Sequence, residues 1–166
     1  MPIFASKDKS GNLVCNFTYV DGLKDYTNGA AVSITQDDSG HRLIIESRIY
    51  KAPKVYLDYS KICGADFVSE KEVKEKGKSV LGRAAVGGLL LGPLGAVVGA
   101  VSGTGAKTKQ ELKLYFVINY KSELPDGEIK ALIFEIVGAT LHWNKFINAL
   151  RAKTGAVAKE DTINIL

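Results

Sequence analysis

Leu112-Lys113-Leu114-Tyr115-Phe116-Val117-Ile118-Asn119-Tyr120 is the stretch that decides the fold class. Leu112, Leu114, Phe116, Ile118 and Tyr120 alternate strictly, and a period of two puts successive side chains on opposite faces of a β-strand. Leu124-Pro125-Asp126-Gly127 then supplies turn chemistry, and Ile129 to Val137 returns the chain as a second strand. Both faces of the returning strand are apolar, so it needs cover on both sides. The segment that follows is the expected cover: Trp143, Phe146, Ile147 and Leu150 recur at the spacing of one helical stripe. Thr140 is placed to cap that helix at its start. Arg151 and Lys153 fall in its last turn, where cations suit the macrodipole, and Gly155 suits a left-handed C-terminal cap.

Upstream the same period recurs. Leu13 to Val20 is β-branched and aromatic and runs into Asp21-Gly22. Val32 and Ile34 alternate with Ser33 and Thr35, and Asp37-Asp38-Ser39-Gly40 turns the chain toward Leu43-Ile44-Ile45, the pattern of a hairpin. Val55, Leu57 and Tyr59 alternate again, and Ile62 to Val68 reads as another short strand. A run of short strands followed by one amphipathic helix predicts a mainly β domain with a C-terminal α-helix. The charge run Glu70 to Lys76 reads as a solvated strand end or helical turn.

One segment departs from this pattern. Between Arg83 and Lys107 there is no charged residue, and Ala84 to Gly103 is built from Gly, Ala, Val, Leu, one Pro and one Ser. Gly88 and Gly92 are four apart, as are Gly95, Gly99 and Gly103, which would line small residues along one helical face and let backbones approach closely. This is the spacing of a glycine zipper, and Gly88, Gly92, Pro93, Gly95, Gly99 and Gly103 are its candidate interface residues. An interior Gly costs on the order of 1 kcal/mol against Ala in a helix, so packing or lipid has to compensate. Gly92-Pro93 breaks any continuous helix, and two half-helices of roughly 10 residues, ~15 Å each, are too short to cross a ~30 Å hydrocarbon core singly. The expectation is therefore a helical hairpin with both ends on one side. Bases flank it, Lys71, Lys74, Lys76, Lys78 and Arg83 before and Lys107 and Lys109 after. Of these, Lys76, Lys78, Arg83, Lys107 and Lys109 are the candidates for contacting anionic headgroups. Three readings of the insert stay open: a hairpin packed on its own domain or on a second copy, a hairpin entering lipid, and a Gly-rich loop.

The remaining composition narrows the function classes. A chain of 166 residues can bury one core without disulfides or metals, and a net charge of +4 with interspersed signs does not indicate nucleic-acid binding. Cys15 and Cys63 lie at no metal-ligand spacing and read as small buried hydrophobes, and Met1 to Asp8 lacks the layout of a signal peptide, which points to a reducing cytoplasm. Ser102 to Thr108 resembles a phosphate-binding loop at first sight, but Val101 and Ala106 stand where its glycines belong, so no nucleotide is expected. His41 and His142 are far apart in sequence with no nucleophile or carboxylate at a recognisable spacing, and Asp21, Asp25, Asp37 and Asp38 read as turn residues. No catalytic residue, metal or cofactor is implied.

The order of elements over Val32–Ile45, Val55–Val68, Leu112–Tyr120, Ile129–Val137 and Thr140–Lys153 resembles the pleckstrin-homology-like domains, specifically the bacterial PH and GRAM-like group. Tyr19-Val20-Asp21-Gly22-Leu23 and the run Arg83 to Ala96, centred on Gly92-Pro93, look like proteins of Gram-positive bacteria and their phages in which such an insert interrupts a PH-like domain. The resemblance implies a split β-barrel capped by one amphipathic helix, a single domain over residues 1–166 with the glycine-zipper insertion at residues 79–106. It also implies a binding or assembly module without catalytic residues. The partners expected are a second copy of the chain and an anionic membrane surface, with the protein cytoplasmic and peripheral to, or hairpin-anchored at, the inner face of the membrane. The alternative is a soluble adaptor or inhibitor, phage-encoded, that binds a host protein.

Overall fold

The computed structural model describes residues 6–70, 85–86, 89–90, 113–125, 127–136 and 142–156. The strands are β1 (Ser6–Lys7), β2 (Leu13–Asp21), β3 (Ala31–Asp37), β4 (Arg42–Ser47), β5 (Val55–Asp58), β6 (Ile62–Ser69), β7 (Ala85–Val86), β8 (Leu89–Leu90), β9 (Leu114–Lys121) and β10 (Ile129–Ile136). A 3-10 turn, Tyr59–Lys61, joins β5 to β6, and the helix α1 spans Trp143–Thr154. Seven strands form one antiparallel sheet in the order β5-β4-β3-β2-β10-β9-β6. β2 serves two neighbours on one edge, β1 near its start and β10 near its end. β7 and β8 form a separate two-stranded ladder.

Alternation explains which face is buried. Cys15, Phe17 and Tyr19 of β2, Val32 and Ile34 of β3, Leu43 and Ile45 of β4, Phe116 and Ile118 of β9, and Leu132, Phe134 and Ile136 of β10 share one core. Phe146, Ile147 and Leu150 of α1 fill the same core and are fully buried. The Phe146 ring lies 5.8 Å from Phe17 and meets Phe116 edge-on at 6.2 Å, the offset geometry that aromatic pairs favour. Buried Gln36 donates through Nε2 to the Phe146 carbonyl at 2.7 Å and accepts from Lys153 Nζ at 2.8 Å, so this polar side chain ties β3 to both ends of the helix stripe. Lys153 also reaches Asp38, whose other donor is the Tyr59 hydroxyl at 2.9 Å.

The helix differs from its expected form at its start. Trp143 is half-buried and stacks edge-on against Phe67 of β6 at 4.9 Å, beside the core rather than in the Leu114–Ile118 and Leu132–Ile136 face. The N-cap position is His142, with no side-chain bond to the first turn, and Thr140 lies outside the described residues. The other end is as expected: Gly155 has φ 68° and its N–H donates to the Arg151 carbonyl at 2.9 Å. Because α1 occupies the core side, it is not the second cover that the two-faced strands require.

The expected barrel stays open along one seam. The sheet begins at β5 and ends at β6, and among the described residues these two are not paired. β5 has only four residues with Tyr56 and Asp58 exposed, and the 3-10 turn leads the chain off before a ladder to β6 forms. A close approach lies in the middle of the sheet, where β2 meets β10 next to a register shift at Ile133/Phe134. Gly22 there has φ 110°, and a Cβ would stand 2.4 Å from the Ala131 carbonyl oxygen.

Candidate functional site

The insert leaves and re-enters the sheet at one place. β6 and β9 pair from Ile62↔Tyr120 to Ser69↔Leu114, and just beyond the last pair the Glu70 N–H donates to the Lys113 carbonyl at 2.9 Å. Residues 71–112 thus depart from and return to a hydrogen-bonded neck. Within them, Ala85↔Leu90 and Val86↔Leu89 pair across Gly87-Gly88, a dipeptide that two-residue hairpin connections favour. β8 lies against β6, β9 and β10. On those three strands the residues facing away from Phe67, Phe116 and Phe134 are buried as well: Val68, Val117 and Ile133 are 0% exposed, and Asp66 and Asn119 nearly so. In that layer burial, followed by the charges of Glu70 and Glu135, pushes the Tyr115 phenol up to about 12, so it stays protonated. Asp66 is reached by Arg151 of α1 at 3.4 Å.

A second feature sits at the open seam. Between β5 and the β9–β10 loop lies a slot of about 400 Å³, with Leu23, Val55, Leu57 and Leu132 among its walls and Leu124 at its rim. Lys61, Lys121 and Lys130 also line it, with Glu123. Lys61 and Glu123 form an ion pair, whose hydrogen bond raises the lysine's pKa and lowers the carboxylate's. The β10 register puts Lys130 opposite Tyr120, on the same side of the strand as Leu132 and Phe134. Burial holds the Tyr120 phenol above its ordinary value, leaving it a hydrogen-bond donor. Ser122 closes the loop by donating its N–H to the Glu128 carbonyl at 2.9 Å, while its buried Oγ has no hydrogen-bond partner. A polar atom left in that state costs about 1–3 kcal/mol.

The sequence-predicted site residues Gly88, Gly92, Pro93, Gly95, Gly99 and Gly103, and the basic residues Lys76, Lys78, Arg83, Lys107 and Lys109, lie outside the described residues. At Ala85–Val86 and Leu89–Leu90, inside the stretch expected as a helical hairpin, the chain is extended instead. A Gly-Gly pair between apolar residues suits a tight strand turn, which avoids the cost of two glycines in a helix. Cys15 is buried, which pushes its thiol up to about 12, and Cys63 is half-buried. His41 stands at the β3–β4 turn with φ 51° and His142 at the start of α1. The slot went unread in the sequence, although a signal exists: Lys130 occupies an inward register position in the Lys130, Leu132, Phe134, Ile136 series.

A family model described as a glycine zipper containing PH domain matches residues 23–123, more than half of the chain. The match runs from the β2–β3 loop through the insert into the β9–β10 loop. No curated protein and no solved structure matches the chain.

Proposed function

Since the chain belongs to the family of glycine-zipper-containing PH domains, we propose that it is a non-enzymatic binding and assembly module whose insert is the assembling element, joining copies of the chain. The observation that supports this most is the neck at Glu70 and Lys113, where the stretch that contains the charge-free segment leaves and rejoins adjacent strands. A segment tethered at both ends has less freedom to lose on association than a free tail would. The same tether bears on membranes. Strands that pair in one sheet cannot lie on opposite sides of a bilayer, so at a lipid surface the insert could enter only as a re-entrant hairpin. No helix among the described residues is long and apolar enough to cross a membrane.

Light scattering of the full chain across micromolar concentrations, alone and with vesicles of zwitterionic and anionic phospholipid, tests this reading. A defined mass above the monomer without vesicles is the expected result. A strict monomer that also fails to bind vesicles overturns it, and a monomer that binds anionic vesicles replaces the second copy by lipid as the insert's partner.

A further inference from the structure

We propose that the slot at the open seam binds a small amphiphile with a single anionic head, the head held by Lys130 and the apolar body lying between β5 and the β9–β10 strands. The charges on its walls select the sign. Glu123 is committed to Lys61, whereas Lys121 and Lys130 have no ion-pair partner among the described residues, so the lining carries a surplus of positive charge. The walls select the rest of the ligand, because Leu23, Val55, Leu57 and Leu132 offer a surface that inorganic phosphate or a sugar would leave uncovered. Leu124 is 53% exposed at the mouth, apolar area that an occupant would cover. The size follows from the volume: about 400 Å³ holds roughly a dozen non-hydrogen atoms at the ~30 Å³ each that a water occupies in the liquid. A single chain of medium length fits that volume.

The strand register supplies a second donor. Tyr120 stands opposite Lys130 on the same face of the β9–β10 ladder, and its phenol, kept protonated by burial, can donate to the same carboxylate or phosphate head. The slot and the neck lie at opposite ends of β6 and β9, so this ligand site and the proposed assembly stand or fall separately.

The test uses the full chain, with decanoate as the probe and decan-1-ol and acetate as controls. Binding is followed by amide chemical shifts and calorimetry. Decanoate is expected to shift the amides of Tyr120, Ser122, Lys130 and Leu132, with the alcohol and acetate at least about ten-fold weaker, each lacking one of the two features. Lys130→Gln, at an exposed position, should weaken decanoate by about ten-fold, the usual effect of losing one charge-assisted hydrogen bond. The proposal is overturned if decanoate does not bind, if decan-1-ol binds as tightly, if the shifts map elsewhere, or if Lys130→Gln leaves affinity unchanged.

Discussion

Gly22 carries a constraint that its neighbours do not share. Its φ of 110° disfavours any L side chain, and a Cβ would stand 2.4 Å from the Ala131 carbonyl oxygen, on backbone that cannot rotate away. Gly22→Ala should therefore cost roughly 2–3 kcal/mol in urea unfolding. Gly29→Ala has a positive φ but nothing within 4 Å, and should cost about 1 kcal/mol. Equal effects would mean that the β2–β10 joint is looser than described. Asp38 sets a different test. Burial works against its charge, yet hydrogen bonds from Lys153 and Tyr59 outweigh that and hold its carboxyl below the ordinary 3.8. A lowered folded pKa gives stability that is complete above the unfolded value and is lost as pH falls through the folded one. Wild type should thus lose stability below pH 3.8 more steeply than Asp38→Asn, and the variant should start from a lower melting temperature at pH 7. Parallel pH profiles would remove the Asp38 contact from the account.

At the scale of elements, much was legible because the signal is local. Strict alternation from Leu112 to Tyr120 becomes β9, the Asp37–Gly40 turn joins β3 to β4, and Gly155 ends α1 in the left-handed region, each a consequence of residues within a few positions. What failed to show depends on distant partners. The helical stripe treats Trp143 and Phe146 alike, but only the sheet's geometry shows that Trp143 overhangs the core to meet Phe67. Likewise the two apolar faces of β9 and β10 announce two covers without saying which element supplies each. Phe146→Ala should accordingly cost about 3–5 kcal/mol. Trp143→Ala, which empties a half-exposed site, should cost about half as much. If the Trp variant melts lower than the Phe variant, the placement of α1 against β6 is wrong. The Gly-rich run was ambiguous for another reason: spacing that lines one face of a helix does not forbid short strands, and Ala85–Val86 pairs with Leu89–Leu90.

The whole molecule joins an open sheet, a helix that fills its core, and a neck at which the insert leaves and returns. The slot and the neck lie at opposite ends of β6 and β9, and strand pairing up to the neck explains how a long excursion can be carried without disturbing the order of the sheet. The slot was hidden because its lysines come from three stretches, around Lys61, Lys121 and Lys130, that only the fold brings together. Assembly through the insert is the central claim, and sedimentation velocity of the wild-type chain beside Gly95→Leu/Gly99→Leu at micromolar concentration tests it most directly. Bulky residues on a small-residue face should hold apart whatever packs there. The account predicts an oligomer for the wild type and a monomer for the double variant, with matching circular dichroism. An oligomer of unchanged size in the variant, or a monomer in both, would contradict it.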